Sequence, residues 1–274
     1  MNGYSTTISP DTHPDRMERL AIYTCITGKY DHLIQSAAFV PWCDFIFFVP
    51  KGVSHPGRDG MWSFAEFECD HTDPVTVSRY AKMHPDELLP GYDFSLWIDG
   101  NIGIVSEEFF DILKSLVDGD VELACVPHPL RDCAYEEAAA CVRGGKSTLR
   151  PMLAAVRHLS DSGLPRHAGL IETGVLFRKH SSPAVIALDR MWWDHFLHCD
   201  RRDQIALPLC LRETGMTPER LLPEGQGIRT SPLLSYVYHD RAEDSRFLQK
   251  KWRGFKRSVS NRIMDIRLRC LQFP

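Results

Sequence analysis

The sequence predicts an α/β protein with a mainly parallel central sheet flanked by helices, and three observations lead there. Short, almost wholly apolar runs such as LAIYTCI (20–26) and DFIFFV (44–49) read as strands buried on both faces. Segments of helical periodicity separate such runs, as crossover connections between parallel strands require. No stretch rich in Gly, Ser or Pro divides the 274 residues, so one large domain is expected.

The elements follow in order. After the strand at 20–26 a helical stretch is expected over 33–40, then the strand 44–49. A helix near 77–89 precedes the strand FSLWI (94–98), a helix over 107–117 follows it, and VELACV (121–126) is the next strand. AYEEAAACVRGG reads as a helix closed by glycine, with a second helical segment over 147–159. TGVLF (173–177) is a late strand, followed by helices over 183–197 and 204–213. There is no internal repeat and no low-complexity segment.

Composition, at 43% hydrophobic and 25% charged residues, is that of an ordinary globular protein. Nine cysteines, an odd number without CxxC pairs, lie largely in apolar runs, which suggests buried thiols in a reducing compartment and neither a disulfide framework nor a zinc site. Residues 1–17 are polar, lack the pattern of a signal peptide, and are expected to be a disordered lead-in. No apolar run approaches the roughly 20 residues that span a bilayer, so a soluble, cytoplasmic body is expected. Residues 246–274 hold nine Lys/Arg against Asp265 alone, which leaves 23 basic and 35 acidic side chains, or −12, for residues 1–245. The expected organisation is a lead-in at 1–17, one globular domain over 18–244 and a basic amphipathic helix over 245–274, with Trp252, Phe255, Val259, Ile263 and Ile266 at helical spacing. Such a helix suits the anionic inner face of a membrane; packing on the acidic body is the alternative, and no motif points to nucleic acid.

In open α/β sheets, ligands bind at the carboxyl ends of the strands. WIDGN places Asp99, Gly100 and Asn101 at such an end, with glycine allowing close approach of a ligand, although Asp-Gly is also a common turn. Arg79 and Lys82, three apart, share a face of the preceding helix and suit an anionic group, or form a solvated basic patch. In HPLRDCAYEEA, His128, Arg131 and Asp132 follow a strand, and Tyr135 and Glu136 open a helix. Groups of both signs in one loop suit a hydroxyl-rich substrate, with Asp132 as N-cap the plain alternative. Asp203 of RRDQIALP is likewise expected to N-cap its helix.

Several blocks, IYTCITGKYDHL, SRYAKMHPDELLPGYDFSLWIDGNIGI, HPLRDCAYEEA, ETGVLFRKH and RRDQIALP, resemble in that order the plant mucilage-related glycosyltransferase-like family over about residues 18–240. That family is similar to nucleotide-sugar transferases of the GT-A fold, in particular the retaining group that includes glycogenin. The resemblance implies a GT-A fold, a nucleoside-diphosphate sugar donor such as a UDP-sugar, and a divalent metal, Mn²⁺ or Mg²⁺. It implies donor binding by Thr24, Thr27, Gly28, Tyr30, Arg79, Lys82 and Asn101. A metal would be held by Asp99, Asn101 and His239, with Asn101 departing from the family's Asp-x-Asp. Asp203 would bind donor-sugar hydroxyls with Gln204 under the anomeric carbon, giving front-face transfer with retention. An inverting enzyme would instead need a carboxylate base such as Glu172, Asp132 or Glu136. The expected activity is sugar transfer to a glycan or lipid-linked acceptor in surface polysaccharide synthesis. The alternatives are a lipid amide or ester hydrolase, against which the lack of a GxSxG elbow counts, and a catalytically silent sugar-binding or scaffold protein.

Overall fold

A computed structural model describes residues 18–28, 33–237 and 258–268. The expected lead-in, Tyr30 and His239 lie outside them. The elements are β1 (Leu20–Thr24), β2 (Cys43–Pro50), β3 (Arg58–Asp59), β4 (Trp62–Phe67), α1 (Pro74–Met83), α2 (Pro85–Leu88), β5 (Phe94–Ile98), β6 (Ile102–Ile104), α3 (Glu108–Asp118), β7 (Leu123–Pro127), α4 (Ala134–Arg143), α5 (Leu149–Asp161), β8 (Ile171–Lys179), α6 (Pro183–His198), α7 (Asp203–Thr214), β9 (Glu219–Arg220) and β10 (Leu234–Tyr236). A last helix, α8, spans 258–268.

Eight strands form one sheet in the order β3-β4-β2-β1-β5-β8-β7-β9, while β10 and β6 pair apart from it. The pairings β1–β2, β1–β5, β2–β4 and β7–β9 are parallel, whereas β8 runs antiparallel to both its neighbours. The predicted class is therefore the observed one. Successive residues of a strand point to opposite faces, and both faces here are apolar. Leu20 and Ile22 join one core with Phe94, Leu96 and the α3 residues Phe109 and Leu113, while Ala21 and Tyr23 join another with Trp97 and residues of α4 to α7.

The helix expected over 33–40 does not form. Its polar groups are spent on other segments: Ala37 N–H donates to Ile104 O, Ser36 Oγ accepts from Ile104 N–H, and Ile34 O accepts from the Trp62 indole. The helix expected over 77–89 is two pieces, because Pro85 disfavours a helical conformation at His84, where φ is −130°.

Helix α8 is seated on the body through Met264 and Leu268, four residues apart and both in the larger core, and through an Arg143–Asp265 ion pair. Val259, Ile263 and Ile266, on the opposite side, are exposed. Because Met264 is 1% exposed, Met264→Ala should cost about 2–5 kcal/mol of stability in urea unfolding. A cost near zero would mean that the helix does not dock.

Candidate functional site at the carboxyl end of β5

Four elements bring opposite charges together where β5 ends. Asp73 N-caps α1, accepting from Thr76 N–H, and the helix presents Arg79 and Lys82 on one face. Lys82 is fully buried, with its ammonium 2.6 Å from Asp203 Oδ2 and 3.9 Å from Asp99 Oδ1. Arg79 Nε lies 3.1 Å from the same Asp203 oxygen, and Thr173 Oγ1 on β8 donates to it at 3.0 Å. The Trp97 and Trp192 rings stand 5.5 and 5.6 Å from the ammonium, which adds cation–π attraction in a dry setting. Trp192 also fixes the start of α7 by donating its indole N–H to Asp203 O.

Burial alone would raise the Asp203 carboxyl pKa, but the Arg79 guanidinium and the Lys82 ammonium hold it far below the usual carboxylate range. Burial pulls the Lys82 ammonium down, and Asp203, then Asp99, offset part of that. Asp203 is therefore a permanent anion. It is not the expected N-cap: that position is Arg202, whose side chain makes no capping bond, and the Asp203 side chain turns inward to the cations. The turn delivering it holds two consecutive non-glycine residues in the left-handed region, Asp200 (φ 51°) and Arg201 (φ 54°), a conformation costing roughly 1–2 kcal/mol per residue. An Arg201–Asp73 ion pair and a Ser147–Asp200 hydrogen bond help to hold it.

Asp99 is the exposed member, with about a third of its side chain open to solvent. Its Oδ1 accepts the Trp97 indole N–H at 2.8 Å, and its backbone N–H donates to Gly174 O. Trp97 and Asp99 share a strand face, so this contact was foreseeable from alternation. A Cβ at Gly100 would fall 2.3 Å from Ile26 Cγ1, so the glycine makes room for the Ile26 side chain.

The other predicted residues divide. Asn101 is 4% exposed and its amide donates to Val237 O, while Val237 N–H returns a bond to Asn101 O, so it ties down the strand β10 end. Both Glu172 oxygens are occupied, one by Ile228 N–H and one by Arg229, which makes it the anchor of the 227–229 loop and not a free base. Gln204 is half-buried on the first turn of α7. Thr27 Oγ1 donates to Pro74 O, Gly28 sits beside Pro74 at φ 71°, and Thr24 is fully buried, with a hydroxyl that has no hydrogen-bond partner among the described residues. Tyr135 is a core residue whose hydroxyl donates to Leu164 O, which corrects its expected substrate contact.

In the loop after β7, His128 Nδ1 accepts from the backbone N–H groups of Leu130 and Arg131, and Arg131 pairs with the buried Glu137, a partner the sequence did not single out. Asp132 is not the N-cap of α4, a position held by Cys133; it pairs with His167, and Glu136 with Arg166.

The sheet and this cluster together define an α/β domain whose polar site lies at the carboxyl ends of its strands. Residues 54–220 match the model of the TOD1/MUCI70, glycosyltransferase-like domain family, and the chain belongs to that family. None of the curated proteins matches it. Among solved structures, the apo structure of the WbbM bifunctional glycosyltransferase is similar with 13% identity and a TM-score of 0.40, over 79% of this chain and 40% of that one. The chain thus spans less than half of that protein, and so slight a likeness bears on no residue's role.

Proposed function

We propose that the chain is a GT-A glycosyltransferase that moves a sugar from a nucleoside diphosphate, of which a UDP-sugar is the leading candidate, to a glycan or lipid-linked acceptor in surface polysaccharide synthesis. The observation that carries this reading is the convergence of Arg79 and Lys82 on Asp99 and Asp203 at a strand end, in a chain of a glycosyltransferase-like family.

The described residues do not fit a resident Mn²⁺ or Mg²⁺. Asn101 is buried with its Nδ2 held by Val237 O and brings no charge, so Asp99 is the one carboxylate of the triplet, and an ammonium already stands 3.9 Å from it. His239, the other expected ligand, lies outside the described residues. In this reading the fixed cations stabilise the charge that grows on the departing diphosphate. Arg79, partly exposed, makes that contact, and the buried Lys82 keeps Asp203 ionised and in place. The hydrogen bonds from Lys82 and Thr173 and the Arg79 ion pair all fall on Asp203 Oδ2, so Oδ1 is the atom left for a sugar hydroxyl. The carboxylates that could serve an inverting enzyme as base are engaged: Glu172 with Arg229, Asp132 with His167 and Glu136 with Arg166. That favours front-face transfer with retention, in which a diphosphate oxygen takes the acceptor's proton and no protein base is needed. The exposed stripe of Val259, Ile263 and Ile266 beside the exposed Arg262 and Arg267 supports contact with an anionic membrane surface.

Calorimetry with a panel of nucleoside diphosphates, with and without Mn²⁺, tests the reading. Uridine diphosphate should bind without Mn²⁺, and a hundredfold excess over Kd should raise stability by about 2.7 kcal/mol. No binding of any nucleoside diphosphate at millimolar concentration would favour a scaffold or a hydrolase.

A further inference from the structure

A second polar cluster lies at the start of α4, apart from the Asp99 site, sharing none of its residues. Cys133, Glu136 and His167 each bring one ligand atom to within 4.8 Å of the others. The ring of His167 is held from behind: its Nδ1 lies 2.7 Å from Asp132 Oδ1. An ionised carboxylate only accepts, so Nδ1 carries a proton, and in the neutral ring the lone pair is on Nε2, 3.9 Å from Glu136 Oε1. A carboxylate behind the far nitrogen is the arrangement that orients metal-binding imidazoles. Cys133 is fully buried, its thiol has no hydrogen bond among the described residues, and it stands at the N-terminus of α4.

The backbone points the same way. His167 holds a left-handed φ of 57°, a conformation a non-glycine residue rarely adopts, and with it presents its ring to α4. Charge is suited as well. Once a metal displaces the thiol proton, Cys133, Glu136 and Asp132 would carry −3, the Arg166 guanidinium paired with Glu136 returns one, and the remaining −2 matches a divalent cation.

We propose that Cys133, Glu136 and His167 bind a zinc ion, with Asp132 as the positioning residue behind His167. Sulfur, imidazole and carboxylate together suit zinc better than the hard cations Mg²⁺ or Ca²⁺. A tetrahedral ion would draw the three ligand atoms to roughly 3.3–3.8 Å of one another, a closure of at most about 1.5 Å. Three protein ligands leave one position open for a water or a small ligand, and one of them, Glu136, also lines a surface cleft with Arg166, Arg143, Asp265 and Leu268. No CxxC spacing announces the site, because its third ligand comes from 31 residues beyond Glu136, in the loop that leads into β8.

The test is a cobalt(II) titration of the 274-residue chain after stripping with a chelator. The expected result is one equivalent bound, a thiolate-to-cobalt charge-transfer band in the near ultraviolet, and its loss on adding zinc. Asp132→Asn should weaken binding 10- to 100-fold by freeing the ring. His167→Gly removes a ligand while relieving the left-handed backbone, so it should abolish the band and still unfold cooperatively. Cys133→Ser should lose the band. Absence of the band in the parent, its survival in Cys133→Ser, or undiminished affinity in His167→Gly would each overturn the proposal. Binding of uridine diphosphate should be the same in parent and His167→Gly, since the two sites share no residue.

Discussion

Lys82→Met should destabilise the protein by about 3–5 kcal/mol, measured as a fall in the urea midpoint at constant slope, because it strips a buried carboxylate of its closest counter-ion. Asp203 is 7% exposed, and the other groups at its Oδ2, the Arg79 guanidinium and the Thr173 hydroxyl, do not replace the 2.6 Å contact with the ammonium. Methionine fills much of the lysine's volume, so the loss reports charge rather than a cavity. Adding Asp203→Asn to Lys82→Met should restore a good part of the stability, since no unpaired charge then remains. The pair should also set an acid limit. The Asp203 pKa is depressed in the folded state, so its contribution is complete above the unfolded value of about 3.9 and is lost as pH falls below it. Asp203→Asn should therefore flatten the stability profile below about pH 4. Were Lys82→Met to cost less than a kilocalorie, the buried ion pair would not be the structure's organising charge.

What could be read from the sequence followed from short-range geometry. Arg79 and Lys82 were paired by helical spacing, Asp99 was placed by the end of an apolar run, and all three converge with Asp203 in the fold. Contacts between distant segments were not legible. Nothing local says that Arg229 and Ile228 would occupy Glu172, 56 and 57 residues away, or that Val237 would take up the Asn101 amide across 136 residues. N-cap assignments failed for the same reason. Asp132 and Asp203 stand beside helix starts, as capping carboxylates do, but each found a stronger partner in another segment, His167 for one and Lys82 for the other. A charge-assisted hydrogen bond outweighs a backbone cap, which is typically worth about 1 kcal/mol.

Asp99→Asn should abolish most sugar transfer, by a factor on the order of 10²–10³, while leaving the melting temperature close to the parent's. The fold tolerates the change because an amide oxygen can still accept the Trp97 indole N–H, the backbone bond to Gly174 is untouched, and no cavity forms. What disappears is the carboxylate charge of the most exposed member of the cluster, and with it the orientation of whatever Arg79 and Lys82 attract. A plain Asp-Gly turn predicts otherwise, since Asn-Gly serves turns equally well and turnover would then be unchanged. Asn101→Asp provides the contrast. Its amide donates to Val237 O from a buried position, so a carboxylate there would face a carbonyl and should cost about 1–3 kcal/mol instead of completing a metal site. Measured together, lost transfer at constant stability in one variant and lost stability in the other would assign the strand-end carboxylate to the ligand and the carboxamide two residues on to the fold.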